Sequence, residues 1–290
     1  SNTVGDRAIA IGHNALKHQA PTSNVDTYNI AIGLNCQEDT TTGIHNTAVG
    51  GYSMAQNTSG DNNTALGSFA LTQNTSGLQN TAVGKDAVRS NTIGDYNVGV
   101  GRETLYDNVN GSSNTAIGTD AMQRNTSGSY NVAVGNDALD ANTTGTHSQA
   151  IGYLALTTNT TGVNNTAVGS NALRDNTTGT NNQAFGNNAL RDNETGDYNV
   201  AVGQTALHDN VSGDGSVAVG YYALKANTVD GKTAIGYNAA TANTTGTGIV
   251  AVGYKALEGN TTGAYNTALG YEALKLKFLV VIILLLVIKL

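Results

Sequence analysis

Apolar and polar residues alternate in a short motif that recurs along almost the whole chain. Its commonest form is Asn, Thr or Val, Ala, an aliphatic residue and Gly, as at residues 114–118 and 131–135. Period-two alternation over so few residues predicts a β-strand. The glycine that ends the motif, called the anchor glycine below, usually recurs every seventeen residues, and we number other positions relative to it. The anchor glycines are Gly12, Gly33, Gly50, Gly67, Gly84, Gly101, Gly118, Gly135, Gly152, Gly169, Gly186, Gly203, Gly220, Gly236, Gly253 and Gly270.

A repeat of this length is too short for a pair of helices and matches one coil of a β-solenoid, in which each unit buries its apolar face only against its neighbours. We therefore predict an all-β fold, a parallel β-roll or β-solenoid of about sixteen coils over residues 1–274, with two short strands and two turns in each coil. Stacking at about 4.8 Å predicts a rod of roughly 70 Å. Gly5 already occupies a turn position, so we expect the sequence to be part of a longer protein.

Position −2 is Ala in every coil except that of Gly99, and such a restriction on size indicates tight packing. We predict that the aliphatic residues at positions −1 and −3 face the interior and that the alanines opposite them contact a neighbouring chain. Leu, the commonest residue at position +4, is expected to close the core from the second strand. The alanines predicted to pack between chains are Ala48, Ala65, Ala82, Ala116, Ala133, Ala167, Ala201 and Ala218.

The turns are rich in Asn, Thr, Ser and Gly. Gly at position −7 is expected where the backbone needs a positive φ. Asn at position −4 recurs in eleven coils, and stacking predicts that these amides form hydrogen-bonded ladders. The sequons beginning at Asn57, Asn74 and Asn142 are either glycosylation acceptors or turn chemistry alone.

The strand motifs at residues 80–84, 131–135 and 216–220 resemble the repeat of the trimeric autotransporter adhesin head, and they are similar to repeats in viral and phage tail fibres. The resemblance covers residues 1–274. It implies a left-handed parallel β-roll in which three chains surround a common axis. It also implies that the alanine rows lie where neighbouring chains meet.

Composition limits the classes of partner. The formal net charge is −7, and the basic residues are scattered, so we expect no nucleic-acid binding. Cys36, the sole cysteine, stands at position +3, where other coils usually have Ala, and is interpreted as a small core residue.

Tyrosine is the only plentiful aromatic residue. Stacking places Tyr221, Tyr237, Tyr254 and Tyr271 in one row at position +1, called the tyrosine stripe below. It is a candidate recognition surface for sugars or apolar groups, although the rings alternatively only shield one another.

No candidate catalytic, cofactor or metal site emerges from the sequence. The five histidines do not share one register, the pair Glu38 and Asp39 lacks a repeated setting, and Asp214 is interpreted as a lone turn residue. No nucleophile, base and orienting group can be argued together, so we do not expect an enzyme.

Residues 275–290 depart from the repeat and form a separate segment in our prediction. Their eleven consecutive apolar residues, 278–288, are too few for a standard transmembrane helix. We expect three such tails to associate at the end of a trimer; a membrane-proximal segment is the alternative.

These patterns favour an extracellular structural fibre or adhesin segment, homotrimeric and on a cell or virion surface, that contacts a glycan or protein receptor. One alternative is a passive tail-fibre shaft that carries a receptor-binding tip. Another is a monomeric β-helix that binds ice or another lattice through threonine rows such as Thr47, Thr64 and Thr81.

Overall fold

The structure is a computed structural model that describes residues 7–20, 26–276 and, for the backbone alone, 283–286. Within these ranges the fold is a parallel β-solenoid of about sixteen coils without a helix, which confirms the predicted fold class. The chain divides into two compact units, Ser1–His147 and Ser148–Leu290.

Each coil contributes one short strand that ends just before its anchor glycine. The first unit contains β1 (Ile9–Ile11), β2 (Ile30–Ile32), β3 (Thr47–Val49), β4 (Thr64–Leu66), β5 (Thr81–Val83), β6 (Val98–Val100), β7 (Thr115–Ile117) and β8 (Val132–Val134). The second contains β9 (Gln149–Ile151), β10 (Thr166–Val168), β11 (Gln183–Phe185), β12 (Val200–Val202), β13 (Val217–Val219), β14 (Thr233–Ile235), β15 (Val250–Val252), β16 (Asn266–Leu269) and β17 (Ile283–Leu286).

Within each unit, successive strands pair in parallel and in register. Ala116 of β7 is opposite Ala133 of β8, and Ala201 of β12 is opposite Ala218 of β13. Each repeat position therefore forms a row of equivalent residues. The last pairing joins β16 to β17, so residues 283–286 of the predicted tail extend the sheet. The rest of the tail prediction, apart from residues 275 and 276, lies outside the described residues.

The predicted second strand is absent from the coils that the structure describes, because positions +1 to +6 form a turn instead. In the coil of Gly118 this turn places Asp120 (φ 56°) and Met122 (φ 55°) in the left-handed region. Their amides point in opposite directions along the stack. Asp120 donates to the carbonyl of Arg102 in the preceding coil at 3.0 Å, and Met122 donates to Ala138 in the following coil at 2.9 Å. A turn with alternating backbone handedness thus replaces the second sheet.

The core is built from small residues at positions −2 and +3 and from larger ones, mainly Leu, at position +4. The predicted core position of Leu is confirmed, since Leu139 and Leu173 are fully buried. Cys36 is a buried core residue, as predicted; its Sγ lies 3.3 Å from the carbonyl oxygen of Ala48, and burial raises its pKa to about 11.

The alanines at position −2 point into this core, so the prediction that they pack between chains is wrong. None has exposed surface in a single chain, and none can contact a second one. Positions −1 and −3 face outward instead. The eight alanines corrected in this way are Ala48, Ala65, Ala82, Ala116, Ala133, Ala167, Ala201 and Ala218.

Two rows of glycine are required for different reasons. Gly50, an anchor glycine, has φ of 135°, and a Cβ there would lie 2.5 Å from the carbonyl oxygen of Gly67 in the next coil. The glycines at position −7 do not have the positive φ that we predicted. A Cβ on Gly60 would lie 2.4 Å from the carbonyl oxygen of Gly77 and 2.5 Å from Oδ1 of Asn57, so close approach excludes a side chain.

Gly50→Ala and Gly51→Ala form a matched test of this constraint. We expect Gly50→Ala to lower the free energy of unfolding by at least about 2 kcal/mol, because it combines an unfavourable φ with a backbone clash. Gly51→Ala should have little effect, since a Cβ there meets no atom within 4 Å. Urea unfolding followed by circular dichroism measures both. Equal losses for the two variants would contradict the close-approach argument.

The one coil without Ala at position −2 has a compensating residue nearby. A Cβ on Gly99 would lie 2.6 Å from Cγ2 of Val88 and 2.9 Å from Oγ1 of Thr104. Thr104 occupies position +3, where Ala is usual, and its larger side chain reaches the space that the Cβ of Ala at position −2 fills in other coils. The two departures from the repeat are coupled through one small core volume.

A double-mutant cycle tests this coupling. Gly99→Ala alone should destabilise the chain by about 1–3 kcal/mol through overpacking. Gly99→Ala combined with Thr104→Ala should recover part of that loss, because it removes the contact with Thr104 and leaves the contact with Val88. Unfolding free energies of the four proteins give the interaction energy. Additive effects would show that the two sites are independent.

Candidate functional site

Asparagine side chains at position −4 form a buried ladder, as predicted. Asn63 Oδ1 accepts the backbone N–H of Asn80 at 2.9 Å, and Asn80 Nδ2 donates to the carbonyl of Gly94 at 2.8 Å. These side chains are fully buried. Each amide therefore satisfies backbone groups of neighbouring coils that would otherwise be buried without partners. This ladder is structural chemistry.

A second asparagine ladder at position +7 was interpreted from the sequence only as turn chemistry or sequons. Asn74 Nδ2 donates to Oδ1 of Asn57 at 2.8 Å and to the carbonyl of Gly77 at 3.0 Å. Asn57, Asn74 and Asn142 are fully buried. A glycan on any of these nitrogens is incompatible with the fold, so the turn interpretation holds. The constant spacing of Asn at position +7 was the signal that could have revealed the ladder.

Lys232 interrupts the row at position −4, in a coil that is one residue short. Its amine is buried and bonds to Asn227 Oδ1 and, at 2.9 Å, to the carbonyl of Val229. In regular coils the Nδ2 of the next asparagine in the row at position +7 donates to the Oδ1 of the asparagine before it. At Asn227 the amine of Lys232 takes the place of that donor. Burial lowers the pKa of Lys232 to about 8, and the charge of Asp230 opposes this shift only partly.

Because the amine of Lys232 is buried, we expect the free energy of unfolding to rise at alkaline pH. A pKa of about 8 in the folded chain, below the ordinary value of 10.5, means that the charged amine disfavours folding at neutral pH. This cost should disappear as the pH rises through the window between those two values. We expect the stability of the wild type relative to Lys232→Met to increase between roughly pH 7 and pH 10. Urea unfolding at both pH values measures the difference, and a constant difference would contradict the assignment.

The tyrosine stripe is assembled as the sequence suggested. Ring centroids of neighbouring members are 5.2, 5.4 and 5.1 Å apart from Tyr221 through Tyr237 and Tyr254 to Tyr271, with interplanar angles of 11–14°. All four side chains are partly exposed. Because the ring faces pack on one another, the stripe presents mainly edges and hydroxyl groups to solvent. A recognition role for the stripe stays a prediction.

The structure also brings together a group that the sequence reasoning missed. Ligand atoms of Asp192, His208 and Asp209 lie within 4.8 Å of one another. Neighbouring cations already pair with both carboxylates: Arg191 with Asp192 at 2.5 Å and Lys225 with Asp209 at 3.4 Å. We therefore interpret the group as part of a row of ion pairs that connects neighbouring coils. Its signal was the recurrence of basic residues at position +5 and of Asp at position +6.

The outward face of each sheet is a further candidate surface. Position −1 is aliphatic in nearly every coil, and many of these side chains are exposed. Thr47, Thr64 and Thr81, at position −3, face the same side and are half-buried. The exposed members at position −1 are Ile11, Val49, Leu66, Val100 and Ile117 in the first unit and Ile151, Phe185, Val202, Ile235 and Leu269 in the second.

No family model matches the chain, and no curated protein matches it significantly. None of the described segments forms a helix with the length and hydropathy that crossing a bilayer demands.

Proposed function

We propose that the chain is a non-enzymatic structural segment of an extracellular fibre or adhesin that mediates surface attachment, and that it assembles as a homotrimer. The observation that supports this proposal best is the exposed apolar surface on the outward sheet face of each unit. Parallel strands about 4.8 Å apart turn the exposed aliphatic residues at position −1 into continuous apolar rows. Soluble monomers rarely expose contiguous apolar patches larger than a few hundred Å².

Packing against copies of the same chain is the occupant that this surface suits best. Identical chains present the same row at the same spacing, so aliphatic side chains of one copy can fill the gaps of another along the sheet. The row also contains few charges that would need desolvation. This assigns the interchain contact to positions −1 and −3.

The solution mass of the full chain tests this proposal. We expect light scattering coupled to size exclusion to give about three chains for the wild type. Val100→Lys combined with Ile117→Lys should dissociate the assembly, because it places two charges in the apolar row. Val109→Lys is the matched control, since Val109 is also exposed but lies in a turn. A monomeric wild type would overturn the proposal.

A second candidate is a monomeric solenoid that binds ice or another lattice. Alternation with Val and Ile predicts an interior location for the threonines at position −3, but the structure shows Thr47, Thr64 and Thr81 on the outward face. This removes one argument against the candidate. The adjacent aliphatic row still favours self-association. Thermal hysteresis from a monomer would favour lattice binding. The passive tail-fibre shaft remains a third proposal.

A further inference from the structure

The backbone does not require tyrosine at position +1, where the tyrosine stripe lies. In other coils this position holds residues as different as Gly51, Lys85, Arg102 and Thr119, and the strands beside them stay in register. The stripe nevertheless places tyrosine in four successive coils, the last four that have an anchor glycine. A row of one residue type at a position that accepts many types is a candidate for a function of its own.

Neighbouring rings of the stripe are close and nearly parallel. Their centroids are 5.1–5.4 Å apart, and their planes differ by 11–14°. In such a stack the Cε atoms, which flank the hydroxyl group, lie about 5 Å from those of the next ring. The four tyrosines are 37–64% exposed, and exposed side chains change rotamer rapidly, in nanoseconds or less. Small rotations therefore bring the Cε atoms of neighbouring rings into contact.

Tyrosines are also the exposed side chains of this chain that are easiest to oxidise. The sequence has no Trp, one Cys and two Met. Cys36, Met54 and Met122 are all fully buried, and burial raises the pKa of the Cys36 thiol to about 11, which keeps it protonated. Oxidation of sulfur follows exposure and thiolate character. An oxidant in solution therefore reaches tyrosine before it reaches sulfur.

We propose that the tyrosine stripe is a site of oxidative cross-linking, where a peroxidase acting with hydrogen peroxide joins neighbouring rings as dityrosine. Two tyrosines that are held side by side react as parts of one molecule, and this proximity raises the rate of coupling over that of tyrosines on separate molecules. The inference goes beyond the attachment function proposed above, and it holds whether the chain is a monomer or a trimer.

Coupling consumes one hydrogen peroxide for each pair of tyrosines. Each ring loses one electron to the oxidised peroxidase and one proton from its hydroxyl group, which gives a phenoxyl radical with its unpaired electron partly on the Cε atoms. The two radicals then form one Cε–Cε bond. The hydrogen on each joined carbon moves through water to the oxygen of the same ring, which restores both phenols. The two electrons and two protons that were removed reduce hydrogen peroxide to two water molecules.

Other exposed tyrosines lack this arrangement. Tyr96, Tyr130 and Tyr198, at position −5, are 56–65% exposed. In the coils on either side of each, position −5 holds other residue types, so the row supplies no neighbouring phenol. A radical on one of these rings must meet another molecule before it can couple.

A dityrosine bond also stabilises the coils that it joins. A bond between Tyr237 and Tyr254 closes a loop of chain, which lowers the conformational entropy of the unfolded state. Oxidation thus adds a covalent connection to coils that the hydrogen bonds of the sheet already hold together.

Oxidation of the full chain by a peroxidase and hydrogen peroxide tests the inference. At low protein concentration the wild type should gain dityrosine fluorescence, lose about 2 Da for each bond and still run as a single chain on a denaturing gel. The triple variant Tyr221→Phe, Tyr237→Phe and Tyr254→Phe should show at least about fivefold less fluorescence, because no two neighbouring phenols remain in the stripe. It also removes the phenol that Tyr222 contacts edge-on. Phenylalanine keeps the stacked rings, and circular dichroism checks that the variant is folded.

Tyr96→Phe combined with Tyr130→Phe and Tyr198→Phe is the matched control, because it removes the same number of tyrosines from more exposed positions. Its fluorescence should match that of the wild type. Equal losses in the two triple variants would show that exposure alone governs coupling and would overturn the inference. Wild-type fluorescence found only in bands of two or more chains would overturn it as well.

Digestion with trypsin shows which rings are joined. Cleavage after Lys255 places Tyr254 and Tyr271 in different peptides. A covalently linked pair of these peptides, identified by mass spectrometry, would support the inference. Links confined to tyrosines outside the stripe would contradict it.

Discussion

The close stacking of equivalent backbone atoms is the constraint on which the rest of each unit depends. Coils repeat at the spacing of a parallel sheet, and the carbonyl of one anchor glycine lies where a Cβ of the preceding one would be. A side chain at any anchor would push two coils apart and weaken the hydrogen bonds on both sides of it. The period can change only where no such contact exists. The coil that contains Lys232 is shorter in a turn, and its strand stays in register.

Stacking of this kind turns each position of the repeat into a row with one environment. The interior rows are thin, which is why alanine and leucine fill them and why Thr104 is accommodated only beside Gly99. The turns leave many backbone groups buried, and the two asparagine ladders satisfy them. An amide is suited to this because it donates and accepts at once, so it can bond to both neighbouring coils. Lys232 lacks the acceptor, and burial lowers the pKa of its amine, so we expect such a replacement to destabilise the folded chain at neutral pH.

The sequence was sufficient to predict the coils, the solenoid, the ladder at position −4 and the assembly of the tyrosine stripe, because each follows from period alone. It did not reveal which side of the strand faces inward. An alternating strand has two faces, and the pattern alone does not say which one is buried. We predicted that the larger aliphatic residues at positions −1 and −3 face the interior, but the core has room only for the alanines at position −2. The sequence also did not reveal which residues have a left-handed backbone conformation, since Leu139 and Tyr198 adopt positive φ although neither residue type favours it. The Asp192 group escaped notice because its members become neighbours only through stacking.

The same separation of rows explains how such a fold can acquire binding sites. Exposed positions contribute little to the core, so their side chains can change without disturbing the stack. Position −5 illustrates this freedom, because it holds Arg7, Tyr28, His45, Asn62 and Gly215 in different coils while the backbone stays left-handed throughout. Neighbouring coils then place these side chains about 5 Å apart, which is the spacing that ring stacking and ion pairing need. A solenoid can therefore acquire a new surface by changing a few residues along one row, while the core and the stacking of the coils stay the same.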